Sequence, residues 1–298
     1  MRMTTSIERV KALPIWRGAV EPSPLKGGLS NESFTVEDAG WKYVVRLGVD
    51  FPVHHVFRER ERMVSAAAFQ AGFAPELVLA EPGLMVFAFI EGRTYAEPDV
   101  QADIGRIAPL VCAYHTTMPK FVSGPAALFW VFHVIRDYAR TLEAGKSRMR
   151  PQLADYVTLA EEFEAAQTPL PIIFGHHDLL PANFIDDGER IWLIDYEYAA
   201  FSTPMFDLAG IASNALFTPE QDIELLTAYF GRPPERELVK SHAAMKCASL
   251  LREAMWSMVS EIHLDVPGVD YVAYTSENLA RFDEALASYR SRFGKAPA

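Results

Sequence analysis

The stretch HHDLLPANFIDDGERIWLIDYEYA, residues 176–199, combines a polar loop, a short apolar strand and a final carboxylate. His176, Asp178 and Asn183 lie in the polar loop, and Asp195 follows the strand. Acids, amides and imidazoles are the groups that bind metals or move protons in proteins. Their order along the chain therefore indicates a site, provided that the chain folds back to bring them together.

The segments around the loop predict how that happens. Residues 171–175, PIIFG, are typical of a short buried strand, and residues 176–183 of a loop. The Asp187-Gly188 pair suits a tight turn with positive φ, which predicts a hairpin between FID and ERIWLI. Because a hairpin reverses the chain, we expect Asp195 to return beside the loop.

Two carboxylates and an amide in one pocket supply the oxygen ligands that Mg²⁺ requires and leave one carboxylate as a possible base. The kinase pattern described below implies that Asp178 orients or deprotonates a substrate and that Asn183 and Asp195 hold the metal. His176, in the same polar loop, is a further candidate for the catalytic group, but we expect its role to be more structural because Asp178 is better placed to accept a proton. A transition-metal site at His176, His177 and Asp178 is the alternative, but adjacent histidines point differently along a loop and no second histidine cluster follows.

Composition and charge narrow the possible functions. The chain has 298 residues, 50% of them hydrophobic, which is enough for one large domain or two joined lobes. Its formal net charge of -11 argues against a nucleic-acid surface and permits a cationic substrate. The absence of a long apolar run or signal-like N-terminus gives the expectation of a cytoplasmic protein without a membrane partner. Cys112 and Cys247 are expected to be reduced core residues.

Hydrophobic periodicity divides the chain into two regions. Residues 33–89 predict four strands and one helix at 56–71. The rest is mainly helical, and its first helix is predicted over residues 98–119 with Pro119 as its end. Further helices are predicted at 128–144, 151–166, 204–214, 219–230, 234–262 and 269–292. The simplest organisation is a β-rich lobe, 1–92, joined to a larger helical lobe, 93–298.

The spacing in the loop matches a known pattern. His176, Asp178 and Asn183 follow the His-x-Asp, four residues, Asn pattern of the protein-kinase catalytic loop, and a metal-binding Asp comes next, as Asp195 does here. HHDLLPANF, IDYEYA and PMFDLA resemble choline and ethanolamine kinases, and more distantly aminoglycoside phosphotransferases. His177 stands where those families usually carry Asn or Gly.

The resemblance implies an α+β, two-lobed protein-kinase-like fold. It also implies ATP and Mg²⁺ as cofactors, and transfer of the γ-phosphate to a hydroxyl of choline, ethanolamine or a similar amino alcohol. An aminoglycoside-type or other sugar- or amine-directed phosphotransferase is the alternative. A catalytically silent nucleotide-binding protein is a further alternative, although such a relative is expected to lose Asp178, Asn183 or Asp195, and all three are present.

The resemblance assigns residues to the nucleotide. GGLSNESF, residues 27–34, resembles the loop that covers the phosphates, and FAFIEGR, residues 87–93, resembles the hinge beside adenine. Arg46 lies where kinases carry a phosphate-pairing lysine, and Glu61 or Glu59 would hold it. A solvated helix face is the alternative for these glutamates. The residues implied for the nucleotide are Gly27, Gly28, Asn31, Arg46, Glu61, Phe89 and Glu91.

For the acceptor, the resemblance implies Glu197, Tyr198, Glu253 and Trp256. Choline kinases hold the quaternary ammonium among aromatic faces and carboxylates by cation–π attraction. Trp256 at helical spacing also fits ordinary core packing, and Glu253 stands where the family has a second Trp. Asp207 in PMFDLAG is expected to hydrogen-bond to the catalytic loop.

Overall fold

The chain begins with an antiparallel sheet and two helices. The computed structural model describes residues 5–25, 31–264, 266 and 268–294. The elements of the first lobe are α1 (Ser6–Lys11), β1 (Ser23–Leu25), β2 (Glu32–Asp38), β3 (Trp41–Leu47), α2 (Arg58–Gln70), β4 (Leu77–Glu81) and β5 (Leu84–Ala88).

The sheet has the strand order β1-β2-β3-β5-β4, with every neighbouring pair antiparallel. Side chains alternate between the faces of a strand, so Phe34 and Val36 of β2 and Val45 and Leu47 of β3 are buried in one core with α1. Arg46, between the last two, therefore lies on the opposite face of the sheet, where it lines the cleft between the lobes.

The remainder of the chain is a larger, mainly helical lobe with two small sheets. Its elements are β6 (Arg93–Thr94), α3 (Glu97–Ala102), α4 (Ile104–Thr117), α5 (Val131–Ala144), α6 (Leu153–Ala165), β7 (Ile173–Gly175), β8 (Phe184–Asp186), β9 (Ile191–Leu193), β10 (Ala200–Ser202), α7 (Met205–Asn214), α8 (Pro219–Phe230), α9 (Arg236–His263) and α10 (Tyr271–Phe293). Strands β6, β8 and β9 form one sheet, and β7 pairs with β10. The α+β class expected from the sequence is confirmed.

The predicted helix over residues 98–119 is wrong as a single element. Two helices, α3 and α4, cover this region because the backbone leaves the helical conformation at Asp103, with φ -106° and ψ 24°. The carboxylate of Asp103 lies 3.2 Å from Arg106 and accepts a hydrogen bond from Tyr95. Pro119 lies in a short 3₁₀ turn just beyond α4.

Smaller differences follow from local backbone geometry. Residue 130 is extended, so α5 begins at Val131 rather than near 128. Cys247 is buried as expected, whereas Cys112 is only half-buried, and both are free thiols. Within the described ranges, no helix is long and apolar enough to cross a membrane.

Helix α2 joins the two lobes. Its buried residues Val64, Ala67 and Ala68 belong to the same apolar core as Ile107 and Val111 of α4, rather than to the core of the sheet. Position and orientation of α2 are therefore fixed by the helical lobe.

The proposed boundary between the lobes lies after Gly92. Strand β5, the last strand of the first sheet in sequence, ends at Ala88, and Arg93 pairs with Asp186 of β8 in the second lobe. Gly92 is needed at this crossing, because a Cβ there would lie 2.8 Å from the carbonyl oxygen of Asp186.

Candidate active site

The β8–β9 hairpin brings the catalytic loop and Asp195 together. Ile194 donates its backbone N–H to the carbonyl of Asn183 at 3.1 Å, which fixes Asp195 next to the loop. The side-chain amide of Asn183 donates to the backbone carbonyl of Asp178 at 2.7 Å and to its carboxylate at 3.3 Å. The amide nitrogen is thus used within the loop, so a metal at Asn183 would be bound by the amide oxygen.

Asp178 is an unusually basic carboxylate. Burial raises its pKa well above the ordinary value, and the nearby carboxylates of Asp195 and Glu197 raise it further. A carboxylate with a raised pKa holds a proton more readily, which suits a group that accepts one from a hydroxyl.

Asp207, near the start of α7, holds the catalytic loop in place. Its two carboxylate oxygens accept the backbone N–H groups of His176 and His177, each at 2.7 Å, and the ring of His115 lies at 2.8 Å. Burial alone would raise the pKa of Asp207, but the surrounding histidines and the hydrogen bond from His115 hold it below its usual range. The ring Nε2 of His176 lies 3.0 Å from the carbonyl of Ile194, so this imidazole bridges the loop and the hairpin.

His177 has a structural explanation that the sequence did not supply. Its backbone has φ 63°, a left-handed conformation in which Asn and Gly are common. The imidazole stacks on Phe129 at 4.5 Å, and its Nδ1 lies 3.1 Å from the carbonyl of Tyr198. The ring also passes over Gly175, where a Cβ would come within 2.3 Å of the His177 Nε2.

The rings of His176 and His177 therefore lie against different carbonyls instead of converging on a metal. In the parts of the chain that the structure describes, no group of three or more His, Cys, Asp or Glu side chains is placed to hold a metal ion. Mg²⁺ nevertheless needs only one or two ligands from the protein, such as a carboxylate and an amide oxygen, because waters and substrate phosphates supply the others. The donor set at Asn183 and Asp195 fits that ion.

Arg46 lies between two carboxylates at the centre of the cleft. Its guanidinium is 3.2 Å from Glu61 of α2 and 3.0 Å from Asp195. Burial alone would lower the pKa of Arg46, but the neighbouring carboxylates outweigh this effect and raise it above its ordinary value. Of the two glutamates considered for Arg46, Glu61 makes the contact, whereas Glu59 is exposed and pairs with Arg62.

Two arginines that sequence reasoning missed connect α2 to the segment after Asp195. Arg58 lies 2.6 Å from Glu61 and 3.1 Å from Glu197, and Arg60 donates to the backbone carbonyl of Glu197 at 3.0 Å. Glu197, expected on the acceptor side, therefore belongs to this buried ion network. The spacing of Arg58 three residues before Glu61 is the signal that the run FRERERM offered.

A cavity of about 380 Å³ lies in the cleft between the lobes. Its walls include Asn31 and Phe89 from the first lobe together with Asn183 and Asp195 from the second. Glu91 does not line this cavity; its exposed carboxylate lies 3.8 Å from Lys42. Gly27 and Gly28, expected in the phosphate-covering loop, lie outside the described residues.

The residues expected at the acceptor are separated. Glu253 lines a second, narrow cavity together with Asp178, and it contacts Arg252. Tyr198 and Trp256 are buried and do not line that cavity; the indole N–H of Trp256 donates to the Tyr198 hydroxyl at 3.1 Å.

Comparison with known proteins agrees with this geometry. Residues 23–221 match the family model for choline/ethanolamine kinase. A probable ethanolamine kinase of Arabidopsis thaliana is 26% identical over 289 residues, covering 84% of this chain and 76% of the relative. A choline/ethanolamine kinase family protein from Mesorhizobium loti has a structure that superimposes with a TM-score of 0.74 at 25% identity, covering 96% of this chain and 97% of the other.

An aminoglycoside phosphotransferase has the same fold. The spectinomycin phosphotransferase APH(9)-Ia, solved with ADP and spectinomycin, superimposes with a TM-score of 0.63 at 14% identity, covering 95% of this chain and 97% of that one. Fold and catalytic loop together define a small-molecule kinase, a phosphotransferase with an alcohol acceptor. The chain belongs to the choline/ethanolamine kinase family, so the resemblance stated from the sequence is confirmed.

Proposed function

We propose that the protein transfers the γ-phosphate of ATP, in the presence of Mg²⁺, to a hydroxyl of choline, ethanolamine or a similar amino alcohol. The observation that carries this proposal is the hydrogen-bonded unit of Asp178 and Asn183 beside Asp195, which is itself paired with Arg46. Base, metal ligands and phosphate-binding cation are thus neighbours, as phosphoryl transfer requires.

Each residue has a distinct role in this proposal. Asp178 orients the acceptor hydroxyl and takes its proton. Asn183 and Asp195 would hold Mg²⁺, which when bound neutralises phosphate charge. Arg46, positioned by Glu61, pairs with the nucleotide phosphates. The phosphate-covering role of Gly27 and Gly28 remains a prediction from the sequence.

The cleft supports a nucleotide as cofactor. The cavity in the cleft between the lobes has predominantly apolar walls near the hinge and polar groups near Asn183 and Asp195, which suits a base at one end and phosphates at the other. Phe89 forms part of the apolar wall, and Lys42 lies 3.8 Å over its ring. A backbone contact from Glu91 to the adenine remains a prediction.

The amino-alcohol acceptor is supported by family membership and by the acidic side chains around Asp178. Burial raises the pKa of Asp178, and the carboxylates of Asp195, Glu197 and Glu253 raise it further, so a cationic acceptor would offset the negative charge around Asp178. A sugar- or aminoglycoside-directed phosphotransferase remains the alternative, since that class has the same fold.

The test is ATP consumption by the purified protein with Mg²⁺ and a panel of choline, ethanolamine, further amino alcohols and aminoglycosides. Asp178→Asn is the inactive comparison, and Asp155→Asn, at an exposed position of α6, is the matched control. Turnover of one acceptor that is lost only in Asp178→Asn supports the proposal. Turnover of aminoglycosides alone moves the protein to the alternative class, and failure to bind ATP refutes the nucleotide site.

A further inference from the structure

Arg252 of α9 lies where the sequence predicts an aromatic surface for a quaternary ammonium. Its guanidinium carbon is 4.5 Å from the centroid of the Tyr198 ring. The Tyr198 hydroxyl is bonded to Trp256, whose indole ring also packs against His54 at 5.0 Å. The protein's own cation therefore covers the face of Tyr198, and a quaternary ammonium in the same place would meet a like charge.

One edge of the Arg252 guanidinium has no hydrogen-bond partner among the described residues. Arg252 is only 5% exposed, and its Nη1 donates to Glu253 at 3.0 Å. Its Nε and Nη2 are buried and unpaired. Unpaired buried donors cost free energy, so a ligand that accepts from them gains affinity. The Nε and Nη2 edge of a guanidinium matches the two oxygens of a carboxylate.

Glu253 fixes the position of Arg252. Its carboxylate accepts from Arg252 with one oxygen and from the Tyr274 hydroxyl, at 2.8 Å, with the other. Burial alone would lower the pKa of Arg252, but surrounding tyrosines together with Glu253 and Asp178 outweigh it and keep the pKa above its ordinary value. The guanidinium is therefore a fixed positive charge.

Arg252, Glu253 and Asp178 line one narrow cavity. It encloses about 20 Å³, which is room for one small polar group, and the rest of a ligand would extend through its open side. Arg252 is the one Lys or Arg side chain among the described residues that line it. The cavity is thus lined by the proposed base and by a positively charged residue, two of whose donors have no partner among the described residues.

We infer that the acceptor is an alcohol that also carries a carboxylate, and that Arg252 binds this carboxylate. The inference rests on the proposed function and narrows its acceptor class. The hydroxyl oxygen forms a bond to the γ-phosphorus while the bond from that phosphorus to the β–γ bridging oxygen breaks. Asp178 takes the hydroxyl proton, and the products are ADP and a phosphate monoester that retains its carboxylate.

Related acceptors with and without a carboxylate test the inference. Ethanolamine is serine without the carboxylate, and choline is ethanolamine with three N-methyl groups. We expect kcat/KM for L-serine to exceed that for ethanolamine by about tenfold or more, since one charge-assisted contact has that magnitude. D-glycerate should likewise exceed glycerol, which extends the comparison to a carboxylate without an ammonium group.

Arg252→Gln should reduce the serine-to-ethanolamine ratio of kcat/KM about tenfold or more, mainly through a higher KM for serine. Arg252→Lys keeps the charge without the two-donor edge and should recover part of the ratio. Arg148→Gln, which changes an arginine paired with Glu261 outside the cavity, should leave the ratio unchanged. Urea unfolding of each variant establishes that it is folded, and a purely structural Arg252 would lower turnover of all acceptors alike.

The outcomes separate the two proposals. Efficient turnover of ethanolamine or choline without a preference for serine or glycerate, or an unchanged ratio in both folded Arg252 variants, overturns the inference and leaves the proposed function intact. No ATP- and Mg²⁺-dependent turnover of any acceptor overturns the proposed function, and the inference falls with it.

Discussion

The guanidinium of Arg58 lies 3.1 Å from the carboxylate of Glu197 and so joins helix α2 to the segment that follows Asp195. The same guanidinium lies 2.6 Å from Glu61, which in turn pairs with Arg46. The positions of Arg46 and Asp195, to which we assign the nucleotide phosphates and the metal, are therefore coupled through one buried ion network.

Loss of Arg58 should destabilise the whole protein. Arg58→Gln removes a charge that contacts two buried carboxylates, and we expect the free energy of unfolding to fall by about 3 kcal/mol. Arg62→Gln is the matched control, because Arg62 lies on the same helix and pairs with exposed Glu59; its effect should be about 0.5 kcal/mol or less. Urea unfolding measures both, and equal effects would contradict the network.

The pairing of Glu61 with Arg46 should affect catalysis. Glu61→Gln weakens the hold on Arg46, and we expect kcat/KM for ATP to fall by about tenfold or more, the factor given by the loss of one charge-assisted contact. Glu59→Gln changes an exposed carboxylate of the same helix and should leave kcat/KM unchanged. Steady-state kinetics at varied ATP concentration measures kcat/KM for both variants. An equal decrease in the two would mean that a general change in α2, rather than loss of the Glu61–Arg46 pair, lowers kcat/KM.

The close approach of His177 to Gly175 predicts a suppressible clash. A Cβ at residue 175 would lie 2.3 Å from the His177 ring, so Gly175→Ala should lower the free energy of unfolding by about 1–3 kcal/mol. In a His177→Gly background, Gly175→Ala should lower the free energy of unfolding by less. Part of the loss should remain, because a carboxylate oxygen of Asp207 would also lie 3.0 Å from the new Cβ. A double-mutant cycle measures the coupling, and strictly additive effects would refute the contact.

Buried His177 should make stability depend on pH. Burial lowers its pKa to about 4 in the folded protein, against about 6.5 in the unfolded chain. Between these values the unfolded chain binds a proton that the folded protein does not. The free energy of unfolding that depends on neutral His177 is therefore fully present above about pH 6.5. It decreases as the pH falls toward about 4 and does not change further below that pH.

His177→Asn keeps a residue that tolerates left-handed backbone and removes this titration. As the pH falls within that window, the free energy of unfolding of the variant should decrease by about 1.4 kcal/mol less per pH unit than that of the parent protein. Urea unfolding at pH 7, 6 and 5 gives the slopes, and His177→Gly should give the same result as His177→Asn. Parallel slopes for parent and variants would mean that His177 titrates normally in the folded state.

The catalytic loop could be predicted because its geometry is local. Asp178, Asn183 and Asp195 lie within twenty residues, and the turn predicted at Asp187-Gly188 is part of a four-residue loop, 187–190, which leaves little freedom in how the hairpin returns. The two-lobed fold class could also be predicted from the sequence, because strand and helix periodicities occupy separate parts of the chain.

Contacts that depend on docking between distant elements could not be predicted. Helix α9 is buried on nearly all sides from Ser241 to Ser260, so its apolar pattern does not show which face meets the site. Trp256 was therefore considered for the acceptor pocket, and Arg252, which lines the narrow cavity beside Asp178, was missed. Arg58 was missed likewise, because a charged run on a helix is usually exposed and the approach of Glu197 depends on the tertiary fold.

The most direct test of the central claim is the turnover of Asp178→Asn measured together with its affinity for ATP and Mg²⁺. We predict that kcat falls by about a hundredfold or more while nucleotide affinity stays within about threefold of the parent, because Asp178 acts on the acceptor hydroxyl. Asp195→Ala should show the opposite pattern, with loss of Mg²⁺-dependent nucleotide binding. Turnover of Asp178→Asn near the parent rate would contradict the assignment of Asp178 as the catalytic base.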